Sequence, residues 1–340
     1  MKTLVKCLFV VALFFMACQE NDISNSPTEE VNSLNLDKIP LLNINTTNTN
    51  IYSKSTEGKT TLEDFVAAIN SELLEENLQL STVELLGHKE AGITYRFKAV
   101  GNKQLLSDWI PDDPRNYLPG TNLLYWVDGT ELATTSGMSG AETLGAIDNA
   151  MNTWGSVSCS KGLNTANILV TTPNLFGDVG IAQKVRGFGG AFNVVYGSIL
   201  FGGNLPKAFF NTLRPNGGNN IIAVTFTWVF LNEGTPTDLD NNGKNDVAFK
   251  EIYFNDSMPF QDEPNDIMDN GIIDFETVAI HEAGHGLSQA HFGKSFTKKN
   301  GKIQYAPFAI MNAGYSLGQR DLLGTDKAGH CSMWSNWPKK

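Results

Sequence analysis

Charge, cysteine and histidine are scarce in this chain, and glutamate stops altogether after position 282. With 18% charged against 41% hydrophobic residues, the sequence is not a solvated polyelectrolyte, and its 340 residues can bury one large core or two smaller ones. The charge that is present sums to −11, which argues against nucleic acid and anionic membrane surfaces as partners. No internal repeat and no long block of like charge occurs, so repeat arrays are excluded. The apolar run at the start, Cys7 to Met16, is too short to span a bilayer.

That run has a positive start, Met1-Lys-Thr-Leu-Val-Lys, and ends in Phe15-Met16-Ala17-Cys18 before Gln-Glu-Asn-Asp. A small residue directly before a cysteine at the end of a short apolar run resembles a bacterial lipoprotein signal. The resemblance implies that residues 1–17 are removed and that Cys18 carries an outer-membrane lipid anchor. The alternative is an ordinary cleaved signal with an incidental cysteine. Loss of Lys2 and Lys6 then takes the charge from −11 to −13. Two cysteines remain, Cys159 and Cys331, which in an exported protein read as one disulfide, or else as two buried thiols.

Residues 18–60 are rich in Asn, Ser and Thr without hydrophobic period, as expected of a disordered tether. Leu62, Phe65, Val66, Ile69 and Leu73 keep helical spacing, and Val83 to Gly87 and Ile93 to Val100 alternate like strands, so 61–100 reads as a small α+β unit. Residues 103–120 read as a proline-containing linker. From 121 a larger core is expected. Leu123–Val127 is a strand, Ser139-x-x-Glu142 opens a helix lined by Leu144, Ile147, Met151 and Trp154, and strands follow near 168–171, 192–200, 221–230 and 251–255. The turn-rich segments 203–220 and 232–247 read as surface loops. Within the second, Asp238-x-Asp240-x-Asn242-Gly243-x-x-Asp246 resembles the front half of a calcium loop. Asp238, Asp240, Asn242, Lys244 and Asp246 are its candidate Ca2+ ligands. Phe249 stands where a bidentate glutamate is expected, leaving Asp262, Glu263 or Asp266 to complete the shell. A plain Asn/Asp turn is the alternative.

The stretch with chemistry is Asp274-Phe-Glu-Thr-Val-Ala-Ile-His281-Glu282-Ala-Gly-His285-Gly-Leu-Ser-Gln-Ala-His291. Asp274 is a good N-cap, and a helix is expected from about residue 275. His281 and His285, four apart, share one helix face and can grip one small dication, with Glu282 beside it as a proton acceptor. His291 faces away unless the helix breaks after 285, and Gly286 and Ser288 lie in that interval. Three of the five histidines fall in this segment. The absence of any glutamate after Glu282 closes the scheme in which a later glutamate is the third ligand. Asp321, Asp326 and His330 remain as competitors to His291.

The spacing His-Glu-x-x-His-x-x-x-x-x-His resembles the zinc motif of the metzincin proteases. Glu276–His285, Ala146–Trp154 and Lys250–Asn255 are similar to the matrixin-like branch. The resemblance covers about 121–340 and implies an α+β fold: a twisted, mostly parallel sheet with two long helices and a small C-terminal subdomain. It makes the unit and linker at 61–120 a pro-segment. Family members carry glycine where Ser288 stands. The resemblance puts Met311 in a turn beneath the histidines, with Met268 as a rival, and places Ala313 where some members have an assisting tyrosine. In matrix metalloproteinases a Pro-Arg-Cys-Gly segment caps the zinc. Here Pro114-Arg115 is followed by Asn116, so a thiolate cap is excluded, and Asp112 or Asp113 are the carboxylate candidates for that role.

The resulting expectation is a monomeric, envelope-anchored Zn2+ endopeptidase acting on proteins or peptides, with Glu282 as general base. An extended peptide is expected to pair with the strand at 221–230 as a sheet edge. Two rivals stay open. One is an inactive surface lipoprotein that binds a protein or glycan and keeps zinc for structure. The other is a hydrolase of some other amide.

Overall fold

Along Ile221–Asn232, Val224, Phe226, Trp228 and Phe230 alternate with Thr225, Thr227 and Val229, and both sets are buried. A strand covered on both faces belongs inside a packed sheet. The computed structural model describes residues 62–340 apart from 89–92, 97–102, 118–119, 130, 171–179, 192–193, 265–270, 300–302 and 339–340. The expected signal, Cys18 and the tether lie outside the described residues, as do Asp266 and Met268.

The strands are β1 (Leu78–Gly87), β2 (Ile93–Arg96), β3 (Ser107–Asp108), β4 (Asn122–Asp128), β5 (Asn164–Val170), β6 (Ser198–Leu205), β7 (Ile221–Asn232), β8 (Thr235–Pro236), β9 (Asn245–Asn255), β10 (Phe260–Gln261), β11 (Ile273–Asp274), β12 (Lys294–Thr297) and β13 (Ile303–Ala306). The helices are α1 (Leu62–Leu73), α2 (Gly140–Gly155), α3 (Ile181–Val185), α4 (Lys207–Leu213), α5 (Gly217–Asn220), α6 (Phe275–Gly286) and α7 (Gly324–Trp334). The class is therefore α+β. Nine strands form one mixed sheet in the order β2-β1-β7-β9-β6-β4-β5, with β3 on β9 and β8 on β7. It is parallel from β9 through β6 and β4 to β5, and antiparallel from β9 through β7 and β1 to β2.

Two hydrophobic clusters hold the sheet. One joins Ile147, Met151 and Trp154 of α2 to Val278, Ile280 and Ala283 of α6. The other joins Phe65, Ile69 and Leu73 of α1 and Phe209 and Phe210 of α4 to Phe226 and Trp228 of β7. Helix α2 starts as expected. Ser139 caps it, accepting from Glu142 N at 3.3 Å while its own N–H donates to Glu142 Oε2 at 2.7 Å. Its Trp154 Nε1 donates to Ile280 O at 2.8 Å, tying α2 to α6. No helix among the described residues is long and apolar enough to cross a membrane.

Several segments differ from expectation. Residues 203–220 are not a surface loop: they hold the end of β6, then α4 with Phe209, Phe210 and Leu213 buried, then α5. Strand β9 starts six residues before the expected 251, and β6 starts at Ser198 rather than 192. The described part of residues 61–120 packs against the larger core. Strand β1 pairs with β7 along its length, from Leu78↔Phe230 to Gly87↔Ile221. The expected linker contributes β3 to the sheet and a buried Trp109, whose Nε1 donates to Gly286 O at 3.0 Å. The edge of β7 expected to receive a peptide is therefore filled by the chain itself. Periodicity gave these strands but carries no information about which strand pairs with which.

Cys159 and Cys331 are joined as a disulfide across a sequence separation of 172, linking the segment after α2 to α7. Closing so long a loop restricts the unfolded chain strongly. Replacing both cysteines by serine is expected to cost about 2–5 kcal/mol, measured by urea unfolding against the oxidised wild type. Equal midpoints would show that the bridge adds nothing to stability.

Candidate metal centre

Asp274 caps α6, its Oδ2 accepting from Thr277 N at 3.1 Å and Thr277 Oγ1 at 2.5 Å. Arg320 Nη2 lies 2.6 Å from Asp274 Oδ1 and fixes the cap. The helix runs to Gly286 and then breaks, as the third histidine requires. Three side chains from separate parts of the chain take the carbonyls at that end, which have no partner within the helix. Lys250 Nζ donates to His285 O at 2.6 Å, Trp109 Nε1 to Gly286 O, and Trp334 Nε1 to Leu287 O at 3.1 Å. Ser288 adopts φ +64°, the left-handed conformation that glycine meets at least cost, and its Oγ accepts from Lys250 at 2.9 Å. The residue that departs from the family pattern thus makes the turn and anchors it.

The turn brings His281, His285 and His291 together. Their Nε2 atoms lie 3.0 Å apart for His281–His285 and 3.1 Å for each of the other two pairs. Each Nδ1 faces an oxygen acceptor: Ile310 O at 2.7 Å for His281, Gln289 O at 2.8 Å for His285, and Glu84 Oε2 at 2.9 Å for His291. Those acceptors place the ring protons on Nδ1 and leave three Nε2 lone pairs aimed at one point. Burial and the neighbouring imidazoles push His281 down to about 3 and His285 well below its usual range, so both rings stay neutral. Three converging lone pairs repel one another unless a cation sits among them. Three imidazole nitrogens converging in this way would hold one small dication such as zinc. Among the described residues these three are the side chains grouped closely enough to hold a metal.

Glu282 is fully buried beside the cluster on α6. Thr225 Oγ1 of β7 donates to its Oε2 at 2.5 Å, while Oε1 is buried with no hydrogen-bond partner. Burial pushes this carboxyl up to about 8; the Thr225 bond opposes the shift and the nearby Glu84 adds to it. A carboxylate with one oxygen pinned and one open suits proton exchange with a water at the metal.

Met311 is buried beneath the helix, and a Cβ at Gly284 would come within 2.4 Å of its Sδ and 2.8 Å of Trp154. Glycine at 284 is what lets this floor approach α6. Asp326, weighed as a rival ligand, instead supports the floor: its carboxylate accepts from Ile310 N and Met311 N at 3.1 Å each and from Leu323 N at 2.9 Å. The other competitors are also placed elsewhere. His330 Nε2 lies 2.9 Å from Ser160 Oγ, and Asp321 is exposed. Tyr315 is turned to the start of α6, accepting from Asp274 N at 2.9 Å.

The latency candidates are not at the cluster. Asp113 is held by Arg115 at 2.6 Å, and Asp112 sits in a turn with φ +55°. The same Arg115 takes Asp246 at 2.7 Å, and Thr237 Oγ1 and Leu239 N bond that carboxylate too. In the loop before it, Asp238 accepts from Asn242 N and Gly243 N, and Asn242 Nδ2 donates to Asp240 and Asp108. Lys244 Nζ lies 3.6 Å from Asp108. The five candidate calcium residues are thus engaged in loop bonds and ion pairs, and their carboxylates are not gathered around one point.

Glu84, Thr225, Lys250, Trp109 and Trp334 were missed as parts of the site. Only the charged pair left a trace in sequence: Glu84 is a lone charge in Val83-Glu84-Leu85-Leu86, and Lys250 stands beside Glu251 between apolar residues in Phe249-Lys250-Glu251-Ile252. No protein-family model matches the chain, and no curated protein sequence does. The class of the site therefore rests on its geometry.

Proposed function

We propose that this protein is a zinc-dependent endopeptidase of the metzincin class, matrixin-like in the order strand, helix, strands, metal helix. The observation that carries the reading is the convergence of three Nε2 atoms at 3.0–3.1 Å, each imidazole oriented by an acceptor on its other nitrogen. Zinc bound there would lower the pKa of a water toward neutrality and polarise a carbonyl. Glu282 would accept the water's proton at Oε1 while Thr225 holds Oε2 in place. As the water oxygen bonds the carbonyl carbon and the C–N bond breaks, that proton would pass to the departing amine and the carbonyl side would leave as a carboxylate. A purely structural zinc fills its fourth position with a protein side chain, and the cluster offers three among the described residues. Attachment to the cell envelope through Cys18 belongs to the same proposal and rests on sequence.

The test is metal analysis of the purified full chain together with long incubation against an unfolded protein, counting new amino groups. One zinc per chain and cleavage that a chelator stops and added zinc restores are expected. A chain with zinc bound that produces no new amino group would favour the binding-protein reading.

A further inference from the structure

Between Glu282 and Asp321 the sequence holds four lysines and one arginine and no acid, in a chain whose net charge is −11. Arg320 is engaged by Asp262, Asp274 and Glu276 near the start of α6. Lys294, Lys298 and Lys299 are exposed, and among the described residues they pair with no acid. They lie on or just past β12, which forms a two-stranded sheet with β13, apart from the main one. Among the described residues no strand pairs with the other edge of β12. The register Lys294↔Ala306, Ser295↔Tyr305, Phe296↔Gln304 puts Lys294, Phe296, Gln304 and Ala306 on one face. Tyr305, on the opposite face, is buried, so the face with Lys294 and Phe296 is the one turned to solvent. There Phe296 is 47% exposed, with a lysine two residues to either side.

The base of this hairpin is fixed to the metal centre. Phe292, next to His291, donates its N–H to Met311 O at 3.1 Å. Asn312 Nδ2 donates to Phe292 O at 3.0 Å and to Pro307 O at 3.1 Å, and its Oδ1 accepts from Ala309 N at 2.9 Å. None of these bonds uses a side chain of β12, so the lysines and Phe296 do not hold the arm in place. Their chemistry suits a partner. An open strand edge offers backbone donors and acceptors to another extended chain. Lysines along it repel a second copy of the same hairpin and attract carboxylates. Phe296 between them adds an apolar contact. A lipid surface would match the charge but brings no strand to the edge. We propose that β12 docks an extended acidic segment of the polypeptide substrate, one that alternates carboxylates with apolar side chains. Its purpose, bringing that polypeptide to the metal, rests on the peptidase reading, whereas the docking itself is tested without catalysis.

The probe is a labelled peptide of alternating glutamate and valine, titrated by fluorescence anisotropy into metal-free full chain, with a lysine–valine peptide as control. Wild type is expected to bind the acidic probe, more weakly as salt is raised, and not the control. Lys294→Glu, Lys298→Glu and Lys299→Glu together are expected to weaken binding by about ten-fold or more. Equal affinity in the two chains, or equal affinity for the two peptides, overturns the proposal. In wild type, bound probe is expected to slow amide exchange within Lys294–Thr297, because an added strand takes donors now open to water. Binding without that slowing also overturns it, and this measurement needs no variant to fold. Phosphatidylglycerol vesicles that retain wild type but not the triple variant, with no probe bound by either chain, would assign the arm to a lipid surface instead. With zinc, a protein substrate carrying the acidic segment is expected to show a lower KM with wild type than with the triple variant at equal kcat. Equal KM values overturn the substrate role. Probe binding by a chain that cleaves nothing leaves the docking strand standing and removes the peptidase reading.

Discussion

Glu282→Ala is expected to lower the peptide-hydrolysis rate by about 10²–10⁴-fold, the range set by loss of one positioned general base, while zinc content stays at one per chain. The reasoning separates binding from chemistry. The three nitrogens that would hold the metal belong to His281, His285 and His291, and none of their Nδ1 partners is Glu282. In the metal-free chain burial pushes this carboxyl up to about 8, so its removal is not expected to lower the stability of the metal-free protein near neutral pH. The sign follows from linkage. A carboxyl raised above its unfolded value favours folding while protonated, and that contribution fades as pH rises from the unfolded value toward 8. Unchanged turnover in the alanine variant would remove Glu282 from the reaction. Loss of zinc together with turnover would make it part of the metal site instead.

Asp326→Ala is expected to weaken zinc binding by about 10–100-fold, the effect of losing an outer support of a ligand, with the stoichiometry kept at one. Its carboxylate holds three backbone amides, at Ile310, Met311 and Leu323. Ile310 O in turn orients His281 through Nδ1. Leaving three buried donors without an acceptor should also cost about 3 kcal/mol or more. Chelator competition gives the affinity, and urea unfolding of the metal-free protein gives the stability. A variant that binds no zinc at all would restore Asp326 as a ligand. One with wild-type affinity would show that the floor under Met311 does not need it.

Much of the centre was legible because it is local. The four-residue spacing of His281 and His285 fixes their common face, and the cap at Asp274 is a contact within one turn, whereas the break after Gly286 draws on Lys250, Trp109 and Trp334 from elsewhere in the chain. The Ser139–Glu142 box is similarly a contact between near neighbours. The cysteine pairing needed only elimination, since two remained after the leader. Misreadings fell where a local pattern had two tertiary outcomes. The Asn- and Gly-rich stretch at 203–220 suited a loop, yet Phe209 and Phe210 found a cluster to fill and made it a helix. In the acidic loop at 238–246, Arg115, more than 100 positions earlier, pairs with the last carboxylate. From residues 61–120, Glu84 reaches the third histidine.

Sequence alone determined the candidate ligand types, the common face of His281 and His285 and the carboxylate beside them, because helical periodicity converts spacing into direction without reference to the rest of the chain. Tertiary structure alone decided that β1 fills the edge of β7, that Lys250, Trp109 and Trp334 close the end of the metal helix, and that Asp326 is a strut. Those choices depend on which buried donors and acceptors meet across long separations, and no local period records them.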